Sequence, residues 1–295
     1  MKISLNKNNL NKIKNINIDN LIIGSFDGIH KGHYKLLNKK GNLVVLIIDN
    51  IPHKNKYIYN LTEKIENIKI ALKPKHILVF NLKKENCTAL EFIDIYLNNI
   101  NTKQITIGSD FIFGNDGQNI NYLKEYLNND IKLMIIKRTS NSYSTTKIKS
   151  LLQTGKIIDV NNKLLIPYSI TSRVIKGNQI ASKVLNCPTA NIKIDKNKII
   201  LKSGIYITNT ILENHQYNSI TFIGKSKSFK NTKYSVETHL LNYCGDNFYN
   251  KKIKVIFIKK IGNVKKYKNI NKLKDDINNY ILKAKYFFNN KKNTR

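Results

Sequence analysis

The chain has 295 residues and a formal net charge of +32, with 51 Lys and Arg against 19 Asp and Glu. That length buries a sizeable core and favours two domains over one. The charge excludes little by itself. The only arginines are Arg138, Arg173 and Arg295, Asn and Ile are abundant alongside Lys, and no segment gathers the positive charge, so the pattern reads as an A/T-rich coding bias and not as a specific nucleic-acid groove.

In chain order, residues 21–23, 43–48, 77–80, 104–107 and 132–136 are short aliphatic, β-branched runs that predict strands. Between them, residues 33–37, 62–72, 89–98 and 121–127 carry apolar side chains at helical spacing, with Thr62 and Glu63 as the expected cap and first turn of the second helix. Alternating strands and helices predict a parallel sheet with helices on both faces, and such sheets bind ligands at the carboxyl ends of their strands. After about residue 165 the pattern changes. Residues 169–174, 192–194, 204–210, 219–223, 235–242 and 252–258 read as strands, and in one of them Val236, Thr238 and Leu240 share one face while Glu237 and His239 share the other. Turns are expected at 214–217 and 244–247, and a helix over 270–287 closes the pattern, followed by a Lys/Asn-rich tail after Phe288 that reads as disordered. Six antiparallel strands with a terminal helix predict a small barrel, and the boundary near 161–167 gives domains of 1–163 and 164–295. The longest aliphatic run, 43–48, is far short of the roughly 20 residues of a membrane helix. The first residues contain no apolar core of secretory length, and Cys87, Cys187 and Cys244 are odd in number and far apart. A cytoplasmic protein without disulfides, membrane contact or zinc knuckles is expected.

Three stretches carry candidate chemistry. GSFDGIHKGH, residues 24–33, follows the first strand, where Gly24 and Gly28 permit a tight turn and close approach of a ligand. A helix is expected to start near His30, with unpaired amides, and His30 and His33 would share one face. Two imidazole donors beside a helix start suit the charge on a phosphate under attack. A role-free surface pair is the plain alternative, and a zinc pair lacks further ligands nearby. Ser144-Thr145-Thr146 places hydroxyls before a helix expected over 148–152, able to cap it or to bind phosphate. Pro188-Thr189-Ala190-Asn191 has turn composition, but its hydroxyl and amide oxygens are also hard ligands suited to Mg²⁺. From spacing alone, Glu237 reads as an exposed strand carboxylate paired with a lysine.

Taken together, these segments resemble the bacterial bifunctional riboflavin kinase/FAD synthetase (FMN adenylyltransferase) family. Residues 24–33 are similar to its GxFDGxHxGH signature, 61–65 to LTxxEK, 108–114 (GSDFIFG) to GxDFxFG, and 144–149 to SSTxIR with Lys149 in place of arginine. Further on, 188–191 match PTAN, 203–206 resemble the GVY strand, 223–229 NIGxxPTF and 236–241 VEVHLL, so the likeness runs from about residue 18 to 287. It implies a nucleotidyltransferase-type, Rossmann-like α/β domain followed by a small antiparallel β-barrel riboflavin kinase domain with a C-terminal helix. It also implies two reactions, phosphorylation of riboflavin to FMN and adenylylation of FMN to FAD with release of pyrophosphate, using ATP as co-substrate and Mg²⁺.

By the same resemblance, Gly24, Ser25, Phe26, Asp27, Gly28, His30, His33, Asp110, Thr145, Thr146 and Lys149 would serve adenylyl transfer. Gly177 and Lys183 would lie on a phosphate loop, Thr189 and Asn191 would hold the metal, and Glu237 would be the general base. The partners implied are riboflavin, FMN and ATP, in a monomer or weak oligomer. The chain also departs from the pattern. The loop before PTAN has lost two glycines and gained a residue, Lys183 replaces arginine, Cys187 replaces phenylalanine, and residues 114–118 lack the basic side chains of the family. These departures keep open an enzyme that only synthesises FAD beside a decayed kinase module, and a non-enzymatic polyanion-binding protein is the more distant rival.

Overall fold

The aliphatic runs of the first half lie side by side as one parallel sheet. The computed structural model describes residues 2–36, 41–51, 56–137, 143–176, 189–225, 234–243, 245, 248–267 and 269–292. By contact density the chain divides into two units, Met1–Lys147 and Ile148–Arg295. In the first, β1 (Lys2–Leu5), β2 (Asn20–Gly24), β3 (Leu43–Asp49), β4 (His76–Asn81), β5 (Gln104–Gly108) and β6 (Lys132–Ile136) form a sheet of order β1-β4-β3-β2-β5-β6. Every pairing is parallel. The central strands are buried on both faces, which is why they read as unbroken aliphatic runs: Leu21 and Ile22, or Val44 and Val45, are equally inaccessible although they point opposite ways. The edge strand β1 escaped the sequence reading. It is four residues long, alternates exposed Lys2 and Ser4 with buried Ile3 and Leu5, and is defined by its pairing with β4.

From β2 the chain winds outward through β3 to β4 on one side and through β5 to β6 on the other, so the topological switch lies between β2 and β5. The helices of this unit are α1 (Leu10–Lys14), α2 (Leu61–Leu72), α3 (Leu82–Glu85), α4 (Ala89–Glu91) and α5 (Ile120–Tyr126). The cap of α2 is Asn60, not Thr62. Asn60 Oδ1 accepts from the Glu63 amide at 2.9 Å and Glu63 Oε2 accepts from the Asn60 amide at 3.0 Å, a capping box counted back three residues from the glutamate. The helix expected over 89–98 is broken into α4, a π turn at Phe92–Tyr96 and a 3-10 turn at Leu97–Asn99. Asn99 Nδ2 donates to the carbonyls of Asp94 and Ile95 and so completes the irregular end. Phe92, Ile93, Tyr96 and Leu97 pack on one face of the sheet with Leu21, Leu46, Phe80 and Ile107. Buried Cys87 is a free thiol, pushed up to about 11 by burial.

Helix α6 (Thr145–Thr154) starts three residues before the expected 148 and crosses the division between the units. The second unit continues with α7 (Ile157–Lys163) and six strands: β7 (Ser169–Ile175), β8 (Thr189–Ile192), β9 (Gly204–Leu212), β10 (His215–Lys225), β11 (Tyr234–Leu240) and β12 (Lys252–Gly262). They close into an antiparallel barrel of order β10-β11-β8-β7-β12-β9. Strand β8 begins upstream of the expected 192–194, because pairing with β7 and β11 draws Thr189, Ala190 and Asn191 into the ladder. The turn expected at 214–217 is Glu213-Asn214, both in the left-handed region at φ 48 and 68, as a two-residue hairpin requires, so His215 already belongs to β10. The turn expected at 244–247 falls mostly outside the described residues.

Inside the barrel, Tyr206 and Phe257 pack edge to face beside Tyr168. They adjoin a fully buried set of hydroxyls, Thr208, Thr210, Ser219, Thr221 and Thr238, joined mostly by bonds of 2.7–2.8 Å. Helix α8 (Ile270–Lys292) runs further than expected, and Phe288, packed with Ala284 against Ile207 and Leu241, carries it into the Lys/Asn-rich tail.

Candidate active sites

In the first unit β2 delivers the chain to the switch point at Gly24. A Cβ there would come within 3.2 Å of the Phe26 ring, so glycine lets that ring lie back against the strand end. Phe26 is buried with φ 46, a left-handed conformation that costs a bulky residue on the order of 1–2 kcal/mol. Gly28 follows at φ 88, while Ser25 is half-buried. The turn is braced by Asp27. Its Oδ1 accepts the amides of Ile58 (2.8 Å) and Tyr59 (3.2 Å), just before the cap of α2, and its carbonyl accepts Thr145 Oγ1 at 3.1 Å. Asp27 and Thr145, 118 positions apart in sequence, are thereby tied together.

His30 is 7% exposed and His33 half-buried, and their rings stack at 3.9 Å with an interplanar angle of 28°. The His30 amide donates to His33 Nδ1 at 3.2 Å. An Nδ1 that accepts carries no proton, so neutral His33 bears its proton on Nε2 and presents that nitrogen as a donor. Phe26 lies 5.6 Å from the His33 ring on one side. A Cβ on Gly32 would press on His30 Nδ1 at 3.0 Å and on Tyr143 Cβ at 3.2 Å, which explains glycine before the second histidine. The helix expected to start at His30 is a 3-10 helix, Lys31–Leu36. Helix α6 begins at the end of this unit, where Ser144 Oγ accepts the Lys147 amide at 3.2 Å and acts as the cap. Thr145 serves the tie to Asp27, Thr146 is exposed, and Lys149 follows Thr145 by one helical turn, half-buried, just past the division of the chain.

Strand β5, the neighbour of β2, ends at Gly108, and Asp110 is exposed in the turn that follows. Phe111 and Phe113 stack at 5.4 Å, the packed loop the sequence leads one to expect. Asp116, which sequence reasoning missed, fastens this loop: its Oδ1 accepts the Ala89 amide at 2.8 Å. Gly114, at φ 74, has no room for a Cβ against that same bond. Also missed was a part-buried ion pair at the carboxyl end of β3, Lys64 to Asp49 at 3.2 Å. The 61–65 segment showed a helix start, but nothing in it pointed to Asp49.

In the second unit the register of β8 and β11 sets Asn191 opposite Glu237 and Thr189 opposite His239, while β10 sets Phe222 against Glu237 from the other side. Val236, Thr238 and Leu240 are buried inward, so Glu237 and His239 face outward beside Thr189 and Asn191. No ion pair with lysine holds Glu237 among the described residues. Its Oε1 accepts Ser235 Oγ at 3.1 Å. Burial pushes its pKa above the ordinary carboxylate range, opposed by the Ser235 hydrogen bond. Asn191 is 6% exposed and Thr189 half-buried. Two neutral oxygen donors two residues apart on one strand face, next to a carboxylate, fit a hard divalent cation such as Mg²⁺. Gly177 and Lys183 lie outside the described residues.

Residues 13–151 match the family model described as FAD synthetase, and residues 164–288 match the one described as riboflavin kinase. The bifunctional riboflavin kinase/FMN adenylyltransferase of Mycoplasma pneumoniae is 31% identical, over 91% of this chain and 97% of that protein. The protein of the same description from Buchnera aphidicola subsp. Schizaphis graminum is 34% identical, over 95% and 97%. The trifunctional protein RibF/MnmA of Mycoplasmoides gallisepticum is 36% identical over 91% of this chain, which spans 40% of that longer relative. Among solved structures, one described as a macrolide-efflux protein from Streptococcus pneumoniae has a TM-score of 0.78 at 23% identity, covering 94% of this chain and 96% of that one. This last is a likeness of fold.

Proposed function

The chain belongs to the family of bifunctional riboflavin kinase/FMN adenylyltransferases, and from that premise we propose that it carries out both steps of flavin cofactor synthesis. Residues 164–295 phosphorylate riboflavin to FMN with ATP, and residues 1–163 adenylylate FMN to FAD. The observation that carries the reading, against FAD synthesis beside a decayed kinase, is the cross-strand pair of Glu237 and Asn191. A desolvated carboxylate directly opposite a buried amide oxygen is an arrangement that phosphoryl transfer uses and that a merely structural barrel does not need.

In adenylyl transfer an FMN phosphate oxygen attacks the α-phosphorus of ATP. A new P–O bond forms, the bond from the α-phosphorus to the bridging oxygen breaks, and pyrophosphate leaves with that electron pair. No protein nucleophile is needed. His33 donates from Nε2 to the oxygens that gain charge, His30 stacks behind it, and the turn at Gly24, Ser25, Phe26, Asp27 and Gly28 receives the nucleotide. Asp110 lines the flavin side, while Thr146 and Lys149 meet phosphate from α6. Lysine at 149 supplies charge without the bidentate fork of arginine.

In the kinase reaction Glu237 takes the proton of the riboflavin 5′-hydroxyl as that oxygen attacks the γ-phosphorus, and ADP leaves. Thr189 Oγ1 and Asn191 Oδ1 would hold Mg²⁺, which supplies charge neutralisation of the triphosphate when bound. The family resemblance assigns phosphate contacts to Gly177 and Lys183. The setting is cytoplasmic, the chain acts as a monomer or weak oligomer, and nucleic acid and membrane play no part. No helix among the described residues is long and apolar enough to cross a membrane.

The test is to incubate the purified full-length chain with riboflavin, ATP and Mg²⁺ and to separate the flavins chromatographically. FMN followed by FAD is the expected result. FAD formed from supplied FMN, but never from riboflavin, would establish the decayed-kinase alternative.

A further inference from the structure

A carboxylate that acts as a base must offer one oxygen to the substrate, and something must decide which one. In β11, Ser235 precedes Glu237 by two residues and therefore shares its outward face. The Ser235 hydroxyl donates to Glu237 Oε1 at 3.1 Å. The same Oγ lies 3.4 Å from the carbonyl oxygen of Gly224, the direct cross-strand partner of Ser235 in β10. A hydroxyl has one proton, and the nearer, charged acceptor takes it. The strand pairing thus fixes the serine oxygen, and the serine fixes the carboxylate.

The other neighbours of Glu237 do not hold it. Asn191 faces it from β8, Phe222 from β10 and His239 stands two residues on, yet among the described residues the only hydrogen bond to its carboxylate is that of Ser235. Without the serine the terminal torsion of Glu237 is broad, since a carboxylate rotates with little preference. We propose that Ser235 is a positioning residue for phosphoryl transfer, engaging Oε1 of Glu237 so that Oε2 is left facing the substrate hydroxyl. This inference rests on the kinase reading of Glu237 given above. Its physical basis is that a general base works only within hydrogen-bond reach, and a misplacement of about 1 Å costs on the order of a hundredfold in rate.

The cleanest test compares two side chains of one shape, Ser235→Thr and Ser235→Val, in the full-length chain, with Ser235→Ala as a third variant. Steady-state phosphorylation of riboflavin is measured beside FAD formation from supplied FMN and thermal melting. The expected result is a kcat lower by about tenfold or more in the Val and Ala variants, with KM for riboflavin and ATP changed less than about twofold, and near wild-type kcat in the Thr variant. FAD formation should be unchanged in all three. Equal kcat in the Thr and Val variants, or a loss confined to KM, overturns the role of Ser235 while leaving Glu237 as base. Wild-type protein that does not phosphorylate riboflavin, or Glu237→Ala that phosphorylates it at the wild-type rate, overturns the kinase reading and this inference with it.

Discussion

His33 receives the His30 amide on Nδ1, and that bond leaves Nε2–H as the side chain's one donor. The amide nitrogen of glutamine reaches the place of Nε2, whereas that of asparagine falls near Nδ1. His33→Gln should therefore keep more FAD formation than His33→Asn, which should lose about a hundredfold, as removal of an oxyanion donor does in other transferases and hydrolases. Initial rates with supplied FMN decide it. Glu237 makes a prediction of the opposite kind. It accepts a proton only when ionised, and burial raises its pKa above the ordinary 4.5. As the pH falls, kcat for riboflavin phosphorylation should begin to drop above that value, and a pH profile of kcat is the measurement. At this scale the sequence showed glycines and histidines clustered after a strand, and the structure gathers them at the end of β2. The sequence could not show that Glu237 faces Asn191, since that depends on register, or that Asp27 spends its carboxylate on two backbone amides across the loop.

Among the elements, those buried on both faces were legible and those defined by a partner were not. Strands β2 to β5 are buried aliphatic runs whose composition alone betrays them, and half-buried β6 shares that composition. Strand β1 exists through β4, and β8 gains Thr189 from its neighbours although PTAN reads locally as a turn. The expected cap of α2, Thr62, lies two residues past the observed one, Asn60, because asparagine caps a helix as well as threonine does. Since Asn60 and Glu63 satisfy each other's amides, Asn60→Ala should destabilise the first unit by about 1 kcal/mol, visible as a lower thermal midpoint. Asn60→Ser, which keeps the acceptor, should recover most of that loss.

For the molecule as a whole, the proposed function assigns its two reactions to separate sites. His30→Ala should abolish FAD formation and spare FMN formation, while Glu237→Ala should do the reverse, as followed by chromatography of both flavins. Loss of both activities in either variant, with melting unchanged, would contradict two independent sites. A parallel-sheet half followed by a barrel half was legible from the change of periodicity near residue 165.

The hydroxyls sealed inside the barrel bear on the row outside it. Thr221 meets Thr238 at 2.7 Å, one residue along the strand from the pair of Phe222 with Glu237. A slip of β11 by a single residue would bring Glu237 or His239 into the place of Thr238 opposite Thr221 and turn Val236, Thr238 and Leu240 outward, so one error of alignment would break the hydroxyl lattice and bury a carboxylate or an imidazole. The concealed lattice acts as a proofreading key for strand assembly, and the outward-facing carboxylate inherits its address from threonines sealed in the barrel.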